Sequence, residues 1–106
     1  PYFSRVPDES LIISGKGSTY IDYVSATRDS ARTYAMIHLP LNRKVSIDLG
    51  KITGSIKNIS WYDPRSGKTV NERPVHSSSI MGFAPPTEGR DWVLIIDNAS
   101  KKYANP

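Results

Sequence analysis

The chain has 106 residues, 38% of them hydrophobic, with 14 Lys and Arg against 10 Asp and Glu for a net charge of +4. That length fits one domain, which buries roughly 60–70% of its unfolded surface around a single core. Its ordinary composition excludes a disordered chain, no apolar run approaches the roughly 20 residues of a membrane-spanning helix, and the absence of Cys excludes a disulfide framework, a zinc knuckle and a thiol nucleophile.

Pro1-Tyr2-Phe3 is neither an initiator Met nor a basic stretch leading into an apolar one, so the chain reads as a fragment or processed product without a signal peptide. Residues 1–7 carry Tyr2, Phe3 and Val6 between two prolines, which suits a semi-rigid linker whose apolar side chains rest on a preceding domain. Residues 11–14 are a short apolar run closed by Gly15-Lys16-Gly17-Ser18. Residues 19–27 are rich in β-branched and aromatic types and predict a strand. Arg28-Asp29-Ser30-Ala31 reads as a turn, and residues 33–39 as the next strand, closed by Pro40. There His38 alternates with Met36 and Tyr34 on one face, opposite Ala35, Ile37 and Leu39.

Residues 44–49 alternate cleanly, with Val45, Ile47 and Leu49 on one face and Ser46 and Asp48 on the other. Residues 50–55 form a loop and residues 56–62 a strand. Asp63-Pro64-Arg65-Ser66-Gly67 is the strongest turn signal, since Pro presets φ and Gly accepts a left-handed conformation. Strands follow over 68–70 and 78–83. Residues 84–90, with Pro85, Pro86 and Gly89, are a loop. Residues 91–97 are continuously apolar from Trp92 to Ile96, which predicts a central strand buried on both faces. No segment has an apolar stripe at helical spacing. The expected fold is therefore all-β: a two-sheet antiparallel β-sandwich of about seven or eight strands, with almost no helix. Its expected bounds are 8–98, after the linker at 1–7 and before a polar tail at 99–106.

Chemistry-bearing patterns are sparse. Ser66-Gly67-Lys68-Thr69 holds a Gly-Lys-Thr, but Tyr62 stands where a phosphate loop requires its first Gly. Two His and no Cys do not make a zinc site, and no cofactor or metal is expected. The basic residues are scattered along the chain, so neither nucleic acid nor membrane is an expected partner. Asp63, Glu88 and Asp91 are the carboxylates set among aromatic residues or structured loops. Asp63 already has a turn role and Asp91 heads the last strand, so no catalytic residue is assigned. Asn58-Ile59-Ser60 and Asn98-Ala99-Ser100 match the glycosylation sequon and are uninformative at that length. Trp61, Tyr62 and Trp92 combine an apolar body with a polar tip, and such rings stack on sugars when exposed. Strand alternation sends Trp61 and Tyr62 to opposite faces, one to the core and the other to the surface or a partner, while Trp92 defaults to core.

Two longer stretches resemble a known family. Ser60-Trp61-Tyr62-Asp63-Pro64-Arg65-Ser66-Gly67 is similar to a Trp-aromatic-Asp-Pro-Arg-Thr-Gly hairpin. Phe83-Ala84-Pro85-Pro86-Thr87-Glu88-Gly89-Arg90-Asp91-Trp92-Val93-Leu94 is similar to a Phe-x-Pro-Pro-x-x-Gly-x-Asp-Trp-Val-Leu run. Together with Val6-Pro7-Asp8 and the run from Tyr34 to Pro40, they resemble the family described as "putative collagen-binding domain of a collagenase". Ser66 replaces the usual Thr, and Arg90 a position often acidic. The resemblance implies a C-terminal β-sandwich domain of bacterial proteins. It implies a preceding glycoside-hydrolase-like (β/α)₈ barrel, of the kind that includes apiosidase-type enzymes, and a secreted or periplasmic location. It carries over no catalytic residue. The expected role is a non-catalytic accessory domain packing on and supporting that barrel. The alternative is a polysaccharide- or matrix-binding module using Trp61, Tyr62 and Trp92, and an independent enzyme is the third possibility. Tyr2, Phe3 and Arg65 are the expected inter-domain contacts, Arg65 because a guanidinium fork reaches carboxylates on neighbouring elements.

Overall fold

The computed structural model describes residues 5–15 and 23–101. Nine strands run in chain order: β1 (Arg5–Pro7), β2 (Ile12–Ser14), β3 (Ser25–Asp29), β4 (Tyr34–Leu39), β5 (Val45–Asp48), β6 (Lys57–Asp63), β7 (Lys68–Val75), β8 (Ile80–Phe83) and β9 (Trp92–Asn98). They form two sheets with all pairings antiparallel: a six-stranded sheet in the order β1-β3-β4-β9-β6-β7 and a three-stranded sheet in the order β2-β5-β8. Helix among the described residues is limited to single 3-10 turns at Glu9–Leu11, Leu49–Lys51 and Ala99–Lys101.

The all-β sandwich expected from turn spacing is the fold observed. The strand beyond the expected seven or eight is β1, inside the segment read as linker. Arg5, Val6 and Pro7 pair with Asp29, Arg28 and Thr27. Three residues cannot display a period, so this strand exists only through its partner. Asp29 explains why the turn falls after it rather than around it. Its carboxylate accepts from the amides of Thr33 at 2.7 Å and Tyr34 at 3.1 Å, and from the Thr33 hydroxyl. β7 outruns its expected end at Val70 and continues through Pro74 to Val75. An edge strand tolerates Pro, and its solvated residues carry no apolar alternation. β8 starts at Ile80 rather than 78 because the Ser77 hydroxyl accepts the Ser79 amide at 3.1 Å and holds a turn.

β9 is central, between β4 and β6, and every one of its residues is buried. Its inward residues Trp92, Leu94 and Ile96 join Ala35, Ile37 and Leu39 of β4 and Ile59 and Trp61 of β6 against Ile12, Val45, Ile47 and Phe83 of the smaller sheet. Its outward residues Val93 and Ile95 lie under a separate cover of Tyr34, Met36 and Tyr62. Of the smaller sheet, Ser46 and Asp48 point away from the core, as their alternation with Val45 and Ile47 requires.

Candidate functional site

The two motif-bearing loops meet at one end of the sandwich. In the β6–β7 turn the Asp63 carbonyl accepts from the Gly67 amide at 2.8 Å, with Gly67 at φ 73°. The Asp63 carboxylate accepts from both the amide and the Nε of Arg65, each at 2.9 Å. That hydrogen-bonded guanidinium holds the Asp63 carboxyl below the usual carboxylate range. Arg65, so anchored, lies 5.5 Å from the centre of the Trp92 ring. Gly89, at φ 121°, passes so close beneath that a Cβ there would press into the Arg65 Nη1. The first motif therefore supplies an Asp-held arginine, and the second supplies the ring and the side-chain-free backbone that receive it. Gly89→Ala is expected to cost about 2 kcal/mol, from strain at that φ and displacement of Arg65. In an Arg65→Ala background the cost should shrink, as measured by urea midpoints in a double-mutant cycle; an undiminished cost would mean that Arg65 is not what Gly89 accommodates.

The loop between β8 and β9 is tied down further. The Asp91 amide donates to the Pro40 carbonyl at 3.1 Å, and Asn42 donates to the Thr87 carbonyl. Asp91 takes a left-handed φ of 63°, and its carboxylate lies 3.2 Å from His38 Nε2. Two of the three carboxylates weighed from sequence thus have basic neighbours of their own, Asp63 with Arg65 and Asp91 with His38.

The predicted site residues separate. Trp61 and Trp92 are 5% and 4% exposed, with ring centroids 6.3 Å apart and planes at 84°. An edge-to-face pair in the core offers no coplanar platform to a sugar ring. Tyr62 points to the opposite side of the large sheet, packed with Tyr34 and Met36 over Val93 and Ile95. Arg65 was expected to reach a carboxylate on another element; the carboxylate it binds is Asp63 of its own turn, two residues away and already within its reach. Tyr2 and Phe3 lie outside the described residues.

Besides Asp29, two further charged side chains are buried without a sequence signal of it. Asp97, next to the apolar run of β9, sits on the outer side of the large sheet opposite Tyr34 of β4 and Asn58 of β6. It is 5% exposed, and its Oδ1 has no hydrogen-bond partner among the described residues. Desolvation pushes its pKa up to about 6, opposed by a hydrogen bond with Asn58 and assisted by the charge of Glu72. Lys57 faces inward from β6, where its ammonium donates to the Ser77 carbonyl at 3.2 Å and the Ser78 hydroxyl at 3.0 Å, and burial lowers its pKa. A shallow depression of about 380 Å³ is lined by Gly54, Ser55, Ile56, Asn98, Ala99 and Ser100, none of them charged. The Asn98 amide in it is already bonded to Thr53 and Ser100. No helix among the described residues is long and apolar enough to cross a membrane.

Two antiparallel sheets with a closed core, and signature residues engaged in turn and packing contacts, define an all-β sandwich module. The chain belongs to the family described as "Putative collagen-binding domain of a collagenase", whose model matches residues 6–97. Among solved structures it is similar to a protein described as "Glycoside hydrolase", at 34% identity and TM-score 0.82 over 98% of this chain. It is also similar to a glycoside hydrolase family 5 protein from Bacteroides vulgatus ATCC 8482, at 34% identity and TM-score 0.85 over 99% of this chain. The chain spans 23% of the length of each of these two proteins. No curated protein matches it.

Proposed function

We propose that this sandwich is the non-catalytic accessory domain of a bacterial, secreted carbohydrate-active enzyme, packing on and supporting a glycoside-hydrolase barrel that precedes it. The observation that carries this reading is the coverage: nearly all of this chain is matched by under a quarter of each glycoside hydrolase. The chemistry of the motif-bearing end supports it. Asp63 is bound by its own turn, Asp91 sits against His38, and Trp61 and Trp92 are consumed in the core. Residues 1–7, with Tyr2 and Phe3, serve as the connection, and β1 anchors its end to the sheet.

The test compares the parent protein with and without this domain. Deleting it should lower the thermal midpoint of the catalytic portion by several degrees, while the isolated 106-residue chain turns over no glycoside in a broad panel. Turnover by the isolated chain that disappears on Asp63→Asn or Asp91→Asn would defeat the reading, as would an unchanged midpoint on deletion. The family's description favours a second reading, a collagen- or polysaccharide-binding module. Tyr62, on the outer side of the large sheet, is then the aromatic to change. Retention of the chain on immobilised glycan or collagen, lost in Tyr62→Ala, would move that reading ahead.

A further inference from the structure

We propose that the outer face of the three-stranded sheet, together with the free edge of β8, is the surface by which this domain docks on the preceding glycoside-hydrolase portion of its parent. This rests on the accessory role proposed above and names its contact surface.

The four terminal strands of the two sheets are not alike. β1 carries Arg5 and Pro7, and β7 carries Lys68, Glu72, Arg73 and Pro74. Charges and prolines of this kind keep an edge from pairing with another chain. β8 reads Ile80-Met81-Gly82-Phe83 and β2 reads Ile12-Ile13-Ser14, both with neither. The exposed isoleucines follow the same division. Ile80 is 54% exposed and Ile13 of β2 is 49% exposed, the two highest values for large apolar residues among the described residues. Both point away from the core. Ile80 pairs with outward-facing Asp48, and Ile13 follows Ile12, which is buried against Ile47. They stand on the two strands that flank β5, β8 and β2. Between them the outward residues of β5 are Ser46 and Asp48, and the Lys44 side chain lies over Gly82, so the two isoleucines flank a mixed, polar floor.

The outer side of the large sheet differs: Tyr34, Val93 and Ile95 are each no more than 8% exposed, already under cover from the chain itself. Among the described residues, the most exposed large apolar side chains are those on the smaller sheet. Most of each similar glycoside hydrolase lies beyond the part this chain matches, which supplies a folded neighbour on the same polypeptide. That face is within reach of that neighbour. β2 follows β1 after one 3-10 turn, so Ile13 is only six residues beyond Pro7, where the connection ends.

Hydrogen exchange of the full parent protein against the 106-residue chain tests the proposal. The amides of residues 80–83 that point to the free edge should exchange at least about ten-fold more slowly in the parent. Ile13→Lys with Ile80→Lys should abolish that slowing and leave the urea midpoint of the isolated chain unchanged. Equal exchange at 80–83 in both proteins overturns the surface. Slowing confined to another face of the domain overturns it too, yet leaves the accessory reading standing; slowing nowhere on the domain removes both. Protection at 80–83 that appears in the isolated chain as its concentration rises would make the occupant a second copy and overturn the proposal. A lowered midpoint of the isolated double variant would show that the isoleucines support this domain's own core, with the same consequence.

Discussion

Trp92→Ala is expected to lower the unfolding free energy by about 3–5 kcal/mol, the range for deleting a large aromatic side chain from a closed core. The ring is 4% exposed and heads the central strand. One side meets the edge-to-face ring of Trp61, and the guanidinium of Arg65 lies over it. Truncation removes the apolar burial, leaves Trp61 against a void, and strips Arg65 of its cation–π partner, so neighbouring contacts fall together. Trp92→Phe should lose markedly less. It keeps a ring in place, and it deletes an indole Nε1 that is buried without a hydrogen-bond partner among the described residues. Arg65→Ala alone should cost no more than about 1–2 kcal/mol, since the guanidinium is half exposed. Urea denaturation gives all three values. A Trp92→Ala midpoint equal to that of the parent chain would mean that the ring is not packed, and would return it to the sugar-binding reading.

Asp97→Asn is expected to stabilise the domain at neutral pH by about 3 kcal/mol and to change little near pH 4. The folded-state pKa is raised from 3.8 to about 6, chiefly by desolvation. Below about pH 4 both folded and unfolded chains hold the proton, so Asp97 contributes no pH dependence there. Between about 4 and 6 the folded chain keeps a proton that the unfolded chain has released. It binds more protons than the unfolded state, so stability falls as pH rises through this window and then levels off. Asn has the shape of the carboxylate without its charge, so the variant's profile should lack this fall. Glu72→Gln should make this fall smaller and end it at lower pH without abolishing it, because the Glu72 charge contributes only part of the upward shift. The measurement is urea stability at pH 4, 5, 6 and 8. Parallel profiles for Asp97→Asn and the unsubstituted chain would show that Asp97 does not titrate as its burial requires.

The parts of this fold that are legible in sequence are those governed by period and turn chemistry. β4 and β5 have residues enough to alternate, and their inward sets, Ala35-Ile37-Leu39 and Val45-Ile47, are all buried. The unbroken apolar run of β9 announced burial on both sides, and Asp63 to Gly67 announced the turn by its φ preferences. The motif residues of both loops were likewise visible as a family resemblance, with their spacing intact. What local pattern cannot carry is the identity of the partner across space. β1 is too short to have a period, β7 hides its length at a solvated edge, and Asp97 reads like any strand-end carboxylate until β4 and β6 close around it. Arg65 shows the division most plainly. Its place at a turn tip follows from Pro64 and Gly67, but its docking on Trp92 beside Gly89 joins residues more than twenty apart in the chain. Turn and strand preferences act over a few residues, so the sequence alone determined where this chain bends and which faces it buries. Only the packing of one sheet end against another decided which side chains those bends bring together.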